Sequence, residues 1–281
     1  MIVLKSPREI ELMRRGGRIL ADLVERLRSV VRVGMSTLEI DEEVEAFLAR
    51  RGARPAFKGY RGFPASVCVS INDEVVHGIP SAHRRLKEGD IVGLDLGCIV
   101  EGYYADCAFT VAIGEVPPAV QALLDATRES LERAIAECRP GRRLGDVSHA
   151  VQRHVEAHGF SVVRAFVGHG IGRALHEDPQ VPNFGEPGRG PVLRPGMVLA
   201  IEPMVTMGGP GVRILDDGWT AVTEDGSLAA HFEHTVAVTE DGPDVLTRPG
   251  GGLRPPSGAS PQDPGGAGEA GARSGRSPRS K

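Results

Sequence analysis

Apolar residues recur at helical spacing from the start of the chain: Ile10, Met13, Ile19, Leu20, Leu23, Val24 and Leu27 fall on one face. Ser6-Pro7-Arg8-Glu9 precedes them as a capping box with proline at the first helical position, so a long amphipathic helix is predicted. Ser36-Thr37-Leu38-Glu39 is a second capping box, opening a helix through about residue 51 that Gly52 closes. An irregular stretch with Phe57, Tyr60 and Phe63 follows, then a strand over 66–71 and a turn-prone segment that places His77 before Gly78-Ile79-Pro80. Pro117-Pro118 opens a third helix to about 138, and a fourth spans roughly 146–158. Strands are predicted at 197–206, 212–215, 219–223 and 229–239, and the Gly, Pro, Ser and Arg mixture from Arg248 on has no periodicity. Residues 1–247 therefore form one folded domain, and 248–281 a disordered C-terminal tail.

Between these elements lies Asp95-Leu96-Gly97-Cys98-Ile99-Val100-Glu101-Gly102-Tyr103-Tyr104-Ala105-Asp106. Two apolar runs, 91–96 and 108–113, flank the Glu-Gly pair, which reads as a β-hairpin. The odd separation of Asp95 and Asp106 predicts that they face each other, with Cβ atoms roughly 4.5 to 5.5 Å apart. Like charges at that distance repel, and a shared proton, a salt bridge or a bound cation would have to offset the cost.

An internal repeat runs at a constant offset of 107 residues. Gly34 matches Gly141, Val44 matches Val151 and Gly52 matches Gly159, while Gly89 to Asp95 aligns with Gly196 to Glu202. Glycine matches alone carry little weight in a chain with 37 glycines, but the shared order of helix, helix and acid-bearing strand is harder to obtain by chance. Two halves related by an approximate two-fold axis would each deliver a carboxylate, Asp95 and Glu202, to the cleft between them.

Charge and composition narrow the partners. The net charge is −4, yet six basic and two acidic residues lie from Arg248 on, which leaves the body at −8. An acidic body argues against specific nucleic-acid binding. No apolar run approaches the ~18 residues of a membrane span. Met1 to Lys5 lacks the features of a secretory signal, so a cytoplasmic protein is expected. The four cysteines show no C-x-x-C spacing and read as free thiols.

Glu233, in His231-Phe232-Glu233-His234-Thr235, adds a fourth strand carboxylate to Asp95, Asp106 and Glu202, and His169 sits between glycines in Gly168-His169-Gly170-Ile171-Gly172. This mixed oxygen and nitrogen set suits Mn, Co, Fe or Zn, and carboxylates that bridge would hold two ions. Other chemistries lack their signatures. His176-Glu177 is followed by Asp-Pro rather than completing H-E-x-x-H, the glycine-rich stretch has no P-loop lysine, and there is no G-x-S-x-G elbow.

Together, the Gly-Tyr-Tyr-Ala-Asp hairpin, the 66–72 strand leading to His77-Gly-Ile-Pro, Gly-His169-Gly-Ile-Gly, Ala-Ile-Glu202-Pro-Met and Phe-Glu233-His-Thr resemble the type I methionine aminopeptidases over about residues 3–247. The resemblance implies an α+β pita-bread fold, with two pseudo-symmetric halves around a central antiparallel sheet. It implies a monomeric hydrolase that removes the initiator methionine from nascent chains when the next residue is small, with transient ribosome contact. Asp95, Asp106, His169, Glu202 and Glu233 would hold two divalent metals, Glu202 would also take a proton, His176 would stabilise the oxyanion and His77 would assist the leaving amine. Tyr60, Phe63, Cys68 and Trp219 match the positions that line the methionine pocket. Phe63 stands where a tyrosine is common, and Leu175 replaces an aromatic seen in some members. Two alternatives are a prolidase or aminopeptidase P of the same fold, which usually carries a preceding domain, and a binding pseudo-enzyme, which characteristically loses metal ligands.

Overall fold

The computed structural model describes residues 1–248, so the tail predicted over 248–281 lies, Arg248 apart, outside the described residues. Helix α1 (Pro7–Val30) begins at Ser6, whose amide donates to the Glu9 carboxylate at 2.9 Å while its Oγ accepts from the Glu9 amide at 3.4 Å. Ser36 and Glu39 repeat the reciprocal cap at α2 (Thr37–Arg50). Helix α3 spans Pro118–Glu137 and α4 spans Leu144–Ala157, beginning two residues before the predicted start because the Asp146 carboxylate accepts from the Arg143 amide. Among the described residues no helix is long and apolar enough to cross a membrane.

The helices pack on one face of an antiparallel sheet. Its central strands are β1 (Val67–Ile71), β2 (Ile91–Val100), β3 (Tyr103–Ala112), β4 (Gly168–Gly170), β5 (Val198–Ile201) and β6 (Glu233–Thr239), in the spatial order β1-β2-β3-β6-β5-β4. Alternation along each strand assigns the two faces. Leu94, Leu96, Cys98, Ala105, Cys107, Phe109, Leu199, Val236 and Val238 join Leu20, Leu23 and Leu27 of α1 in the main core. Each fully buried leucine there contributes on the order of 1.5 to 3 kcal/mol. The other face, with Asp95, Asp106 and Glu233, is left for the cleft.

The offset of 107 holds in three dimensions. Added to Thr37 and Arg50 it gives Leu144 and Ala157, the bounds of α4. The isolated bridge Ser36 to Arg85 recurs as Arg143 to Val192. Leu86 accepts from the Gly34 amide and donates to Met35, as Leu193 accepts from Gly141 and donates to Arg142. The fold is the expected α+β arrangement of two related halves.

Three expectations require correction. Val100 pairs with Tyr103, which places Asp95 opposite Ala108 and Asp106 opposite Gly97, so the two aspartates are diagonal rather than opposed. The turn falls on Glu101 and Gly102, at φ 51° and 80°, because a two-residue type I′ loop needs positive φ at both positions and a glycine supplies one of them without strain. The long strands predicted over 197–206 and 229–239 each break. Glu202-Pro203 separates β5 from Met204–Thr206, and Phe232 separates Ala229–His231 from β6; both outer pieces join a small second sheet with Ser161–Val162. A proline cannot donate to a ladder, which accounts for the first break. The strand Glu177–Val181 beside β4 has no clear signal in the sequence.

Helix α1 reaches the sheet through Gly16 and Gly17. A Cβ at Gly17 would stand 2.1 Å from the Leu246 carbonyl oxygen, a backbone atom that cannot swing aside. Helix propensity alone would make Gly17→Ala stabilising by about 1 kcal/mol. The contact reverses the sign, and Gly17→Ala is expected to destabilise by about 1 to 3 kcal/mol, lowering Tm by several degrees in thermal unfolding. A rise in Tm would contradict this account of the helix–sheet contact.

Candidate metal centre

The register of the sheet gathers the acidic residues into two adjacent rows. Cys68 pairs with Asp95, Asp95 with Ala108, and Ala108 with Glu233. Glu202 extends that row, following Ile201, whose partner is His234. Two residues along, Gly97 pairs with Asp106, and Ala200 lies between Thr235 and His169. Small residues at Ala108 and Ala200 leave the space above the rows to the ligand side chains, whereas Gly97 makes room for Phe57 and Ala56.

Asp106, Glu233 and His169 are buried, and Asp106, His169 and Glu233 each bring a donor atom within 4.8 Å of the other two. His169 Nε2 lies 3.4 Å from Glu202 Oε1 and 3.9 Å from Asp106 Oδ2. Donors each about 2.1 Å from one ion stand roughly 3 to 4 Å apart, so these separations suit a shared cation. His169 Nδ1 donates to the Gly170 carbonyl at 2.9 Å, which fixes the tautomer and leaves Nε2 with its lone pair toward the carboxylates.

Among the described residues these carboxylates have no lysine or arginine counterion. Asp95 Oδ1, Asp106 Oδ1 and Glu233 Oε1 are buried without a hydrogen-bond partner. Burial pushes the Asp95 carboxyl up to about 7. Burial, followed by the charges of Asp95 and Glu202, drives Asp106 well above the carboxylate range. Glu202 and Glu233 move the same way, again chiefly by burial. Orphaned oxygens on four crowded carboxylates fit one or more cations, and the hard oxygen donors with one imidazole fit a first-row divalent metal.

Beside the rows the cleft is apolar. Phe57, Phe63, Cys68 and Leu175 belong to a cluster distinct from the main core, joined at its edge by Tyr60 and Trp219. Phe63 meets Trp219 edge-on with centroids 5.2 Å apart, and Trp219 and Phe166 flank the His77 ring at 6.2 and 5.5 Å. His77 has φ 62°, a left-handed conformation that costs about 1 to 2 kcal/mol. Bonds from the Val69 amide to Gly78 and from the Gly78 amide to Ser70 hold it there. Burial lowers His77 to about 4, and burial followed by the Arg61 charge also lowers His176, so both rings are neutral near pH 7. Cys68 is pushed well above the usual thiol range by burial, which leaves it an inert wall.

All eleven residues designated from the sequence, Tyr60, Phe63, Cys68, His77, Asp95, Asp106, His169, His176, Glu202, Trp219 and Glu233, line this one cleft. Three supporting residues were not singled out from the sequence. Thr235 Oγ1 accepts from the Asp106 amide at 3.0 Å and donates to its carbonyl at 2.7 Å, bridging strands that have begun to diverge. Its position two residues after Glu233 puts it on the same face, so period-two alternation could have found it. Asn183, 1% exposed, donates to the Glu202 carbonyl at 3.0 Å. His231 places an unpartnered, buried Nε2 3.9 Å from Glu202 Oε2. Neither of these has a local sequence signal.

The profile of metallopeptidase family M24 matches residues 11–240. Methionine aminopeptidase 1 of Bacillus subtilis is 52% identical over 248 residues, covering 88% of this chain and 100% of the relative. Methionine aminopeptidase of Clostridium perfringens is likewise 52% identical over 88% of this chain and 99% of its own length. The crystal structure of methionine aminopeptidase from Thermotoga maritima superposes with a TM-score of 0.87 at 50% identity, covering 88% of this chain and all of that one. Prolidase from Pyrococcus furiosus shares the fold, with a TM-score of 0.72 at 24% identity, but this chain covers only 65% of it. The chain belongs to metallopeptidase family M24, among its methionine aminopeptidases.

Proposed function

We propose that this metal-dependent aminopeptidase works in the cytoplasm as a monomer, removing the initiator methionine from nascent chains with a small second residue. Transient contact with the ribosome would bring it to them. Its catalytic domain is residues 1–247. The observation that carries the proposal is the convergence of four carboxylates and His169, with orphaned oxygens, directly beside an apolar pocket. Asp95, Asp106, His169, Glu202 and Glu233 would hold two divalent ions, drawn from Co, Mn, Fe or Zn. When bound, such ions supply Lewis acidity toward the scissile carbonyl and lower the pKa of a nucleophilic water.

The remaining work falls to side chains. Glu202, with one oxygen toward His169 and the other toward His231, accepts the proton of the attacking water. Neutral His176 donates a hydrogen bond to the oxygen that becomes an oxyanion. His77, wedged between two aromatic rings, contacts the scissile nitrogen and assists its departure. Tyr60, Phe63, Cys68 and Trp219 surround the methionine side chain. Phe63 is only 3% exposed and edge-on to Trp219, so the missing hydroxyl leaves no unpaired polar atom in the wall. Its absence and Leu175 adjust side-chain selectivity rather than chemistry.

The direct test is hydrolysis of Met-Ala-Ser with titrated Mn or Co. Cleavage of X-Pro dipeptides without cleavage of this peptide would indicate a prolidase instead. Less than one transition metal per chain, with no activity on metal addition, would indicate a binding module. Met-Ala peptides should be cleaved and Met-Lys peptides spared; equal rates would remove the second-residue restriction. His176→Ala should lower kcat by about 100-fold or more with metal content unchanged, and an unchanged kcat would remove the oxyanion role.

The raised carboxyls also make stability depend on pH. Asp95 titrates at about 7 when folded and about 4 when unfolded, so between these values the folded, metal-free protein binds more protons than the unfolded chain. Stability of the metal-free protein therefore falls as pH rises from about 4 to about 7. Metal requires the ionised carboxylates, so added Mn should raise Tm more at about pH 7.5 than at about pH 5.5. Asp95→Asn should flatten the metal-free pH slope and blunt the response to Mn. A slope identical to the wild type would sink this linkage.

A further inference from the structure

The mouth of the cleft holds a hydrogen bond that neither pocket lining nor metal binding requires. Tyr60 OH lies 2.8 Å from His176 Nδ1, with the rings tilted at 32° and their centroids 5.4 Å apart. We propose that Tyr60 is a positioning residue that sets the tautomer of His176, its hydroxyl donating to Nδ1 so that the ring carries its proton on Nε2 and offers it to the oxyanion. The inference rests on the oxyanion role of His176 given above.

The direction of the bond follows from its chemistry. A phenol is a better donor than acceptor, whereas the unprotonated nitrogen of a neutral imidazole is a strong acceptor. The hydroxyl makes no other hydrogen bond within the described residues. Once Nδ1 is the acceptor, Nε2 must be the protonated nitrogen. The neighbouring His169 has the opposite arrangement, donating from Nδ1 to Gly170 and keeping the Nε2 lone pair. The two rings, with centroids 4.2 Å apart, are thus set by different partners for opposite tasks, one to offer a lone pair and the other a proton.

Both ends of the bond are anchored. The Tyr60 amide donates to Phe57 at 2.8 Å, its carbonyl accepts from Phe63 at 2.9 Å, and the Gly59 amide closes the loop on the Phe63 carbonyl at 2.8 Å. Gly59, Arg61 and Gly62 all take left-handed φ, at 84°, 48° and 90°, and Arg61 does so without the licence of a glycine. That conformation turns the tyrosine across the mouth. On the far side, Glu177 next to His176 accepts from Lys5 Nζ at 2.6 Å and from the Ala174 amide at 3.1 Å. A hydrogen bond between two fixed elements costs little entropy on forming, which is what orienting a catalytic ring requires.

Tyr60→Phe removes only the hydroxyl and keeps the aromatic wall. With Met-Ala-Ser, the loss of one such bond is expected to lower kcat about 3- to 10-fold with KM changed less than about 2-fold. In a His176→Ala background the same substitution should have no further effect, because Tyr60 acts only through the ring. The second readout is the ring itself: 1H–15N spectra of the Zn-loaded holoenzyme should show His176 as the Nε2–H tautomer in the wild type and as a mixture in Tyr60→Phe. An unchanged tautomer in Tyr60→Phe would overturn the proposal, as would equal kcat losses in the two backgrounds. Should His176→Ala leave kcat unchanged, the oxyanion role falls, and the spectra alone still decide whether Tyr60 sets the ring.

Discussion

Four carboxylates on one buried sheet face are a constraint that the groups among the described residues relieve only in part. Burial raises all four, repulsion adds to it at Asp106, Glu202 and Glu233, and three of their oxygens lack a partner among the described residues. The lysines and arginines that do form ion pairs with low exposure are elsewhere, as in Lys5 with Glu177 and Arg14 with Asp244. An isolated buried charge costs several kcal/mol, so a cluster of this kind persists only if something outside the chain offsets it. The surrounding structure is arranged around that requirement. Ala108 and Ala200 keep the rows open, Thr235 ties down the Asp106 backbone, and Asn183 ties down the carbonyl of Glu202.

The repeat explains how such a site is assembled from ordinary parts. Each half contributes two helices, a turn bridged to the following strand, and a strand bearing an acid. Around an approximate two-fold axis, β2 with β3 and β5 with β6 meet at the β3–β6 seam, where the acids from both halves converge. Symmetry ends past Glu202. There the second half departs from the sheet at Pro203 and returns at Phe232, and the intervening chain supplies Trp219 and His231 to the cleft. Symmetric strands therefore provide the charged floor, and the asymmetric excursion provides part of the cleft wall.

Much of this was legible in the sequence because it depends on local or periodic signals. Capping boxes at Ser6 and Ser36 fix helix starts to the residue, and the 107-residue offset reproduces the bounds of α2 and α4. The acidic residues stood out because charges in β-branched runs are anomalous. The hairpin register was misjudged by two residues: the Glu-Gly turn was legible, but a two-residue loop at Glu101-Gly102 sets Val100 opposite Tyr103 and so Asp95 opposite Ala108, not Asp106. The broken strands and the strand Glu177–Val181 were missed or merged for a related reason: short strands owe their existence to partners distant in sequence. Asn183 and His231 reach Glu202 only through tertiary contact, so no local signal exists for either.

The diagonal register matters more than a correction of detail. It keeps Asp95 and Asp106 on the same face, with their carboxyls close enough for a hydrogen bond between them. A proton shared between them offsets part of their repulsion in the metal-free protein, and an ion coordinated from both sides would take its place. The neutral imidazoles act in the same direction. Burial lowers His169 and His77 to about 4, so neither ring balances the carboxylates with a positive charge near neutral pH. Had either been protonated, the cluster could have been satisfied internally and its affinity for a cation reduced. Keeping the histidines neutral leaves the negative charge uncompensated, and that deficit is the driving force for binding metal at the floor of the cleft.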